Sequence, residues 1–274
     1  MASTARRKSP IKGSASKESD GVRAGAVLVT GASGLLGSAL VDRLLASGRS
    51  VVAVYRTQAS LAAARARLQP HIAENRVFPV VADLMKTGAE SRLVADLRRR
   101  HLPVAAFVHC ARSRDKLKVQ GVPTAQQWSE EYLLAVGVPH NLALALAADP
   151  AIGLRRVVLI GSMYGVVAVS PHLYPKGAVP APIHYGVARA ALIHLAREMA
   201  VRLAPNGVTV NAVSLGGIEG RAATDFKRRY ARLCPAGRML KVTEAVAPIE
   251  FLLSDDAEGI TGQNLIVDGG WSIW

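Results

Sequence analysis

Seven short β-branched runs punctuate this chain, each separated from the next by enough residues for a helix, and that alternation constrains the fold more than any other feature. The runs are AVLVT (26–30), SVVAVY (50–55), RVFPVVA (76–82), PVAAFVHC (103–110), RRVVLIG (155–161), GVTVNAV (207–213) and NLIVDG (264–269). Apolar runs of this kind, with little polar alternation, mark strands buried on both faces. Between them, apolar residues at three-to-four spacing predict helices over Leu35–Ala46, Ser60–Leu68, Glu90–Arg100, Ala125–Ala148, Tyr185–Leu203 and Thr243–Leu253. Strands that alternate with helices pair in parallel, and right-handed crossovers place helices on both faces of the sheet. The expectation is an α/β fold: one Rossmann-like, doubly wound domain over residues 26–274 with a seven-stranded parallel sheet.

Residues 1–25 fall outside the alternation. Six Lys or Arg against two acidic residues leave them with a net charge of +4 and almost no large apolar side chain, so they read as a disordered basic tail. The whole chain carries 34 basic and 20 acidic residues, a net +14. A field of that sign favours anionic partners such as phosphate-rich cofactors, acidic sugars or nucleic acid. Nucleic acid ranks last, because a stacking platform needs interleaved aromatics and these make up only 5% of the chain. No apolar run reaches the ~18 residues of a membrane span, and no signal-peptide core follows the basic start, so the expected location is the cytoplasm. Cys110 and Cys234, the only cysteines, suit reduced thiols better than a disulfide framework. His109, His140, His184 and His194 lack metal-ligand spacing, and no metal is expected.

The turn TGASGLLG (Thr30–Gly37) follows the first run and opens the first helix. Gly31 suits a tight turn, Gly34 lets backbone N–H groups approach a pyrophosphate, and Gly37 permits close helix–sheet packing, with Ser33 and Leu36 completing the expected cradle. At the end of the second strand an NAD site places a carboxylate for the ribose 2′-hydroxyl. Here Tyr55-Arg56 stands instead, with no carboxylate. Arg56 is therefore expected to clamp a 2′-phosphate, which makes NADP the expected cofactor and NAD the second choice.

From Ala26 to Trp274 the chain resembles the short-chain dehydrogenase/reductases. The resemblance rests on TGASGLLG, on the pair Asp83-Leu84, on Ser162 in IGSMYG, on Tyr185 in HYGVARAA, and on NAVSLGGI (211–218) and TGQNLIVDGGW (261–271). It implies an oxidoreductase that interconverts a carbonyl and an alcohol on a small substrate, working as a homotetramer or homodimer. In that reading Tyr185 is the acid–base residue, Ser162 holds the substrate oxygen and Arg189 clamps the ribose. Asp83 and Leu84 would meet the adenine, Cys110 and Ala111 the body of the cofactor, and Gly216 and Ile218 the nicotinamide. Trp271 and Trp274 would lie at subunit contacts. Independently of any family, a phenol with a pKa of about 10 needs a fixed positive charge nearby to work near neutrality. Residue 189, one helical turn on, shares the face of Tyr185.

Four departures from the family pattern carry information. Arg189 replaces a lysine, keeping the charge but losing the ability to release a proton. Ala135 stands where an asparagine completes the proton relay, and Asn141 lies six residues further on, on a different helix face. Arg112 replaces a glycine in His109-Cys110-Ala111-Arg112, and Leu215 replaces a proline. Two further readings therefore stay open: a catalytically degenerate NADP-binding partner or sensor, and a nucleic-acid-associated basic protein. The segment between Ser162 and Tyr185 is longer than the family's usual dozen residues, and the surplus at 166–182, with four prolines, is expected over the substrate pocket. Together with residues 216–239 and DGGWSIW it resembles a narrower branch tied to surface-polysaccharide, flagellin-glycan and nonulosonic-acid pathways. Arg112, Lys176, His184 and Arg221 would suit an acidic or phosphorylated sugar.

Overall fold

Strands form at all seven runs: β1 (Ala26–Thr30), β2 (Val51–Tyr55), β3 (Val77–Val81), β4 (Val104–His109), β5 (Arg156–Ser162), β6 (Thr209–Leu215) and β7 (Asn264–Val267). This computed structural model describes residues 25–113, 119, 121–175, 177–220 and 222–274. The expected basic tail up to residue 24, Lys176 and Arg221 lie outside the described residues. All neighbouring strands run parallel, in the order β3-β2-β1-β4-β5-β6-β7. The order reverses between β1 and β4, where a doubly wound sheet opens a crevice at the carboxyl ends of its strands.

Successive side chains leave each strand on opposite faces. Leu28, Val52, Phe107 and Leu159 enter one core, and Val29, Ala53, Val108 and Val158 enter the other. Of the eight helices among the described residues, α1 (Leu35–Ala46), α2 (Gln58–Ala73) and α8 (Val242–Leu252) cover the second core. The first core is covered by α3 (Ala89–Arg99), α5 (Val138–Ala147) and α6 (Ile183–Leu203), with α4 (Ala125–Tyr132) preceding α5. A helix absent from the sequence expectation, α7 (Thr224–Leu233), packs Phe226, Tyr230 and Leu233 into a third, smaller cluster.

Residues 125–148 are not one helix. A π turn at Leu133–Gly137 separates α4 from α5, and Pro139 accounts for it. Proline has no N–H and its ring clashes with the carbonyl four residues back, so the register widens ahead of it. The N–H of Val138 goes to the Leu133 carbonyl, which leaves the Leu134 carbonyl without a helical donor. His109, at the end of β4, takes it up: its Nε2 lies 3.0 Å from that carbonyl and its Nδ1 lies 3.0 Å from the Thr30 hydroxyl. A carbonyl only accepts, so the proton sits on Nε2, and Nδ1 accepts from Thr30. One imidazole thus ties β1, β4 and the π turn together.

Trp271, expected at a subunit contact, belongs to the chain's own interior. It stacks on Tyr230 at 4.5 Å between ring centroids and is buried with Met163, Leu173, Cys234 and Met239. The Asp268 carboxylate accepts from the N–H groups of Gly270 and Ser272, and this bends the chain inward. Trp274 stays 77% exposed, with its indole N–H on the Leu233 carbonyl.

Burial lowers the His109 pKa from 6.5 to about 3, with the Arg189 charge adding to the effect. Between those values the unfolded chain binds a proton that the folded chain refuses, so this stability is complete above pH 6.5 and is lost as pH falls towards 3. His109→Leu should flatten that acid dependence in urea titrations. It should also cost about 1–3 kcal/mol at neutral pH, because the Thr30 hydroxyl and Leu134 carbonyl lose their partner. An unchanged acid slope would show that another group is responsible.

Candidate active site

The glycine-rich turn leaves the carboxyl end of β1 as the sequence implies. Gly31 has φ 70°, and a Cβ there would come within 2.8 Å of the Ala111 backbone. A Cβ on Gly37 would overlap the Gly31 carbonyl, so α1 can approach the turn only without a side chain at that position. Gly34 caps α1 in an extended conformation, its N–H on the Gly31 carbonyl at 3.0 Å. Ser33 is exposed and Leu36 half-buried.

Beyond β2 the two expected cofactor residues part company. The ring of Tyr55 is fully buried in the second core, whereas Arg56 is exposed, just ahead of the Thr57 cap of α2. Asp83 accepts from the Met85 N–H at 3.2 Å, and Leu84 is buried beside it. Burial pushes the Cys110 thiol up to about 12, so it stays protonated. Ala111 lies against Gly31. Gly216 is held between Asp268 and the Tyr230 hydroxyl, and Ile218 pairs with Leu240.

Ser162 ends β5 and caps a one-turn 3₁₀ helix, with its Oγ accepting from the Tyr164 N–H at 3.2 Å. Two glycines seat α6 against this turn. A Cβ on Gly165 would lie 2.7 Å from the Arg189 carbonyl carbon, and one on Gly186 would lie 2.9 Å from the Tyr164 carbonyl oxygen. The SMYG and HYGVAR stretches therefore interlock backbone to backbone, which sets the buried Tyr185 close to the Ser162 turn.

Arg189 is enclosed. Its guanidinium carbon lies 5.0 Å from the centroid of the Tyr185 ring, its Nη1 reaches the Ile160 carbonyl at 3.3 Å, and its Nη2 donates to Glu131 Oε1 at 3.0 Å. The Arg189 and Glu131 side chains are 3% and 1% exposed. Glu131 is the site residue that sequence reasoning missed. Its signal was available: with Trp128, Leu134, Ala135 and Val138 it falls on one helical stripe, and a carboxylate inside an apolar stripe calls for a buried cation.

Other expected pocket residues are placed differently. His184 is fully buried against Trp128, 6.0 Å between ring centroids, and so does not line an open sugar pocket. Arg112 is exposed. Ala135 and Leu215 are buried, and the exposed Asn141 bonds to its neighbour His140. The long segment before α6 is pinned to α7: Arg229 Nε donates to the Leu173 carbonyl at 2.8 Å, and Tyr174 packs edge-on to Phe226. Between this segment and α6 lies an apolar cavity of about 760 Å³, lined by Tyr164, Val167, Val179, Pro182, Ile183 and Val187 among others.

A family model described as Enoyl-(Acyl carrier protein) reductase matches residues 31–272, and the chain belongs to the short-chain dehydrogenase/reductase family of oxidoreductases. Among curated relatives, the NADH-dependent L-xylulose reductase of Ambrosiozyma monospora is 28% identical over 271 residues, covering 90% of this chain and 94% of that protein. The Post-translational flagellin modification protein A of Campylobacter coli is 31% identical over 118 residues, 43% of this chain and 46% of that protein, so the match spans under half of the relative. Among solved structures, a short-chain dehydrogenase from Leptospira borgpetersenii with bound NAD+ superposes with a TM-score of 0.77 at 26% identity, covering 90% of this chain and 92% of that one. No described helix is long and apolar enough to cross a membrane.

Gly165→Ala tests the interlock. The added methyl has to displace α6 from the turn after β5, at a cost of about 1–3 kcal/mol. Thermal unfolding should register the loss, and Ala at the exposed Gly259, which has open space around it, should not reproduce it.

Proposed function

We propose that the chain interconverts a carbonyl and an alcohol on a small substrate with NADP(H), with Tyr185 as the acid–base residue and Ser162 holding the reacting oxygen. The observation that carries this reading is the seat of Tyr185, buried above a guanidinium and locked against the Ser162 turn at the same strand ends as the glycine-rich loop. A dinucleotide fits these residues. Gly31 and Gly37 let the turn fold tightly between β1 and α1 with no side chain in the way, and Arg189 retains a buried, unpartnered Nε to offer a ribose hydroxyl. Once bound, the nicotinamide supplies or accepts the hydride. Ser162 Oγ, already accepting from the Tyr164 N–H, keeps its own proton to donate to the substrate oxygen. The Tyr185 hydroxyl gives that oxygen its proton in reduction and removes it in oxidation. Arg189 stays charged throughout, so Tyr185 exchanges its proton with water, not through Arg189.

Exposed Arg56 and the lack of a carboxylate after β2 support NADP over NAD. A sugar-like or acidic substrate is supported by exposed Arg112 and by the partial match to the flagellin modification protein. A homodimer or homotetramer is supported by Ile183, Val187 and Val201, exposed apolar residues along α6. The two free cysteines suit a reducing cytoplasm. One second reading has an observation behind it. Glu131 neutralises Arg189 and Ala135 offers no relay group, which favours a protein that binds the nucleotide without turnover.

The experiment is NADPH oxidation by the purified protein across ketones and keto-sugars, with Tyr185→Phe as control. Loss of about 10²-fold or more in kcat is expected from that variant. Turnover equal to the variant's, with NADPH still bound, would favour the binding-only reading. Arg56→Glu should weaken NADPH binding by about 10–100-fold and leave NADH nearly unchanged; equal losses for both would remove the cofactor assignment.

A further inference from the structure

We propose that Glu131 is a positioning residue for Tyr185: by neutralising Arg189 beneath the phenol it sets the acidity of the acid–base group. The inference rests on the reading of Tyr185 given above, but its test needs no turnover. An unpaired cation within about 4–6 Å of an acid stabilises the ionised form and lowers the pKa by about 1–3 units. The Arg189 guanidinium carbon is 5.0 Å from the Tyr185 ring centroid, close enough for a lone charge there to act on the phenol. It is not alone. Glu131 Oε1 accepts from Nη2 at 3.0 Å, with both side chains out of water, and the pair presents the phenol with a dipole whose field falls off faster than that of a single charge.

The groups around Tyr185 make Glu131 the controlling partner. On α6 itself stand Arg189 and the buried His184. From β4 comes His109, which stays neutral, and from the turn after β5 comes Tyr164, whose pKa burial and neighbouring phenols raise, so it too is neutral near pH 7. From α4 comes Glu131, the negative charge among these described groups. The pair also fixes direction. With Nη2 on Glu131 and Nη1 on the Ile160 carbonyl, the guanidinium carbon is held over the Tyr185 ring.

The test is ultraviolet titration of phenolate in the full-length, cofactor-free protein, where subtracting the same titration of a Tyr185→Phe derivative isolates Tyr185. Glu131→Gln should lower the Tyr185 midpoint by about one pH unit, and adding Arg189→Gln should bring it back to within about one unit of the parent value. A folded Glu131→Gln protein whose midpoint falls by less than about half a unit, or a double variant that keeps the lowered midpoint, would overturn the proposal. Should Glu131→Gln fail to fold, the double variant against the parent decides. A midpoint within about one unit of the parent supports neutralisation, and a larger rise overturns it, since Arg189 would then have been acting on Tyr185 undiminished. An enzyme with no turnover leaves each of these readouts intact, so failure of the catalytic reading and failure of this one are separable.

Discussion

A parallel sheet buried on both faces leaves its strand ends as the place where backbone can meet a ligand, and most of this structure follows from that constraint. Helices pack on either side of the sheet, so glycine is required where a helix and the carboxyl edge approach most closely. Gly31 and Gly37 serve that purpose on the β1 side, and Gly165 and Gly186 serve it where α6 meets the turn after β5. Both sets act by omission: each position is one where a single methyl would collide with backbone, which cannot rotate away.

The Glu131–Arg189 pair is the second determinant. Removing both charges from water is costly, and such a pair is retained only when geometry and further hydrogen bonds offset the desolvation. Here the Ile160 carbonyl supplies one of those bonds and the guanidinium carbon lies over the Tyr185 ring. Deleting one partner of a buried pair generally costs about 3–5 kcal/mol, so the α4–α6 contact and the electrostatics of the phenol are joined in one interaction. The π turn adds a second tie between the same region and the sheet, through His109 and Thr30. Its origin lies in the chemistry of Pro139, which has no N–H to continue the helical ladder.

The parallel sheet and the helices over most of the chain were legible because period and β-branching report burial directly. So were the glycine-rich turn and the Ser162 and Tyr185 motifs, whose spacing depends on neighbours in sequence. The residues read wrongly were those whose environment comes from distant chain. Trp271 looks like a surface tryptophan near a terminus until Tyr230 and Cys234, contributed by α7 and its end, close over it. His184 looks like a pocket residue until Trp128 from α4 covers it. Phe226, Tyr230 and Leu233 stand at helical spacing inside a strongly charged stretch, which hid α7 from a reading based on apolar content.

By itself, then, the sequence determined the architecture and the glycine-rich turn at the end of β1, since both depend on local pattern and on strand burial. What only tertiary structure decided is the charge state beneath Tyr185. Arginine in place of lysine reads as a retained cation, and nothing within a helical turn of Arg189 contradicts that. Its counter-charge comes from a carboxylate 58 residues away. A Coulomb interaction depends on distance through space, whatever the separation along the chain, and only the packing of α4 on α6 brings the two together.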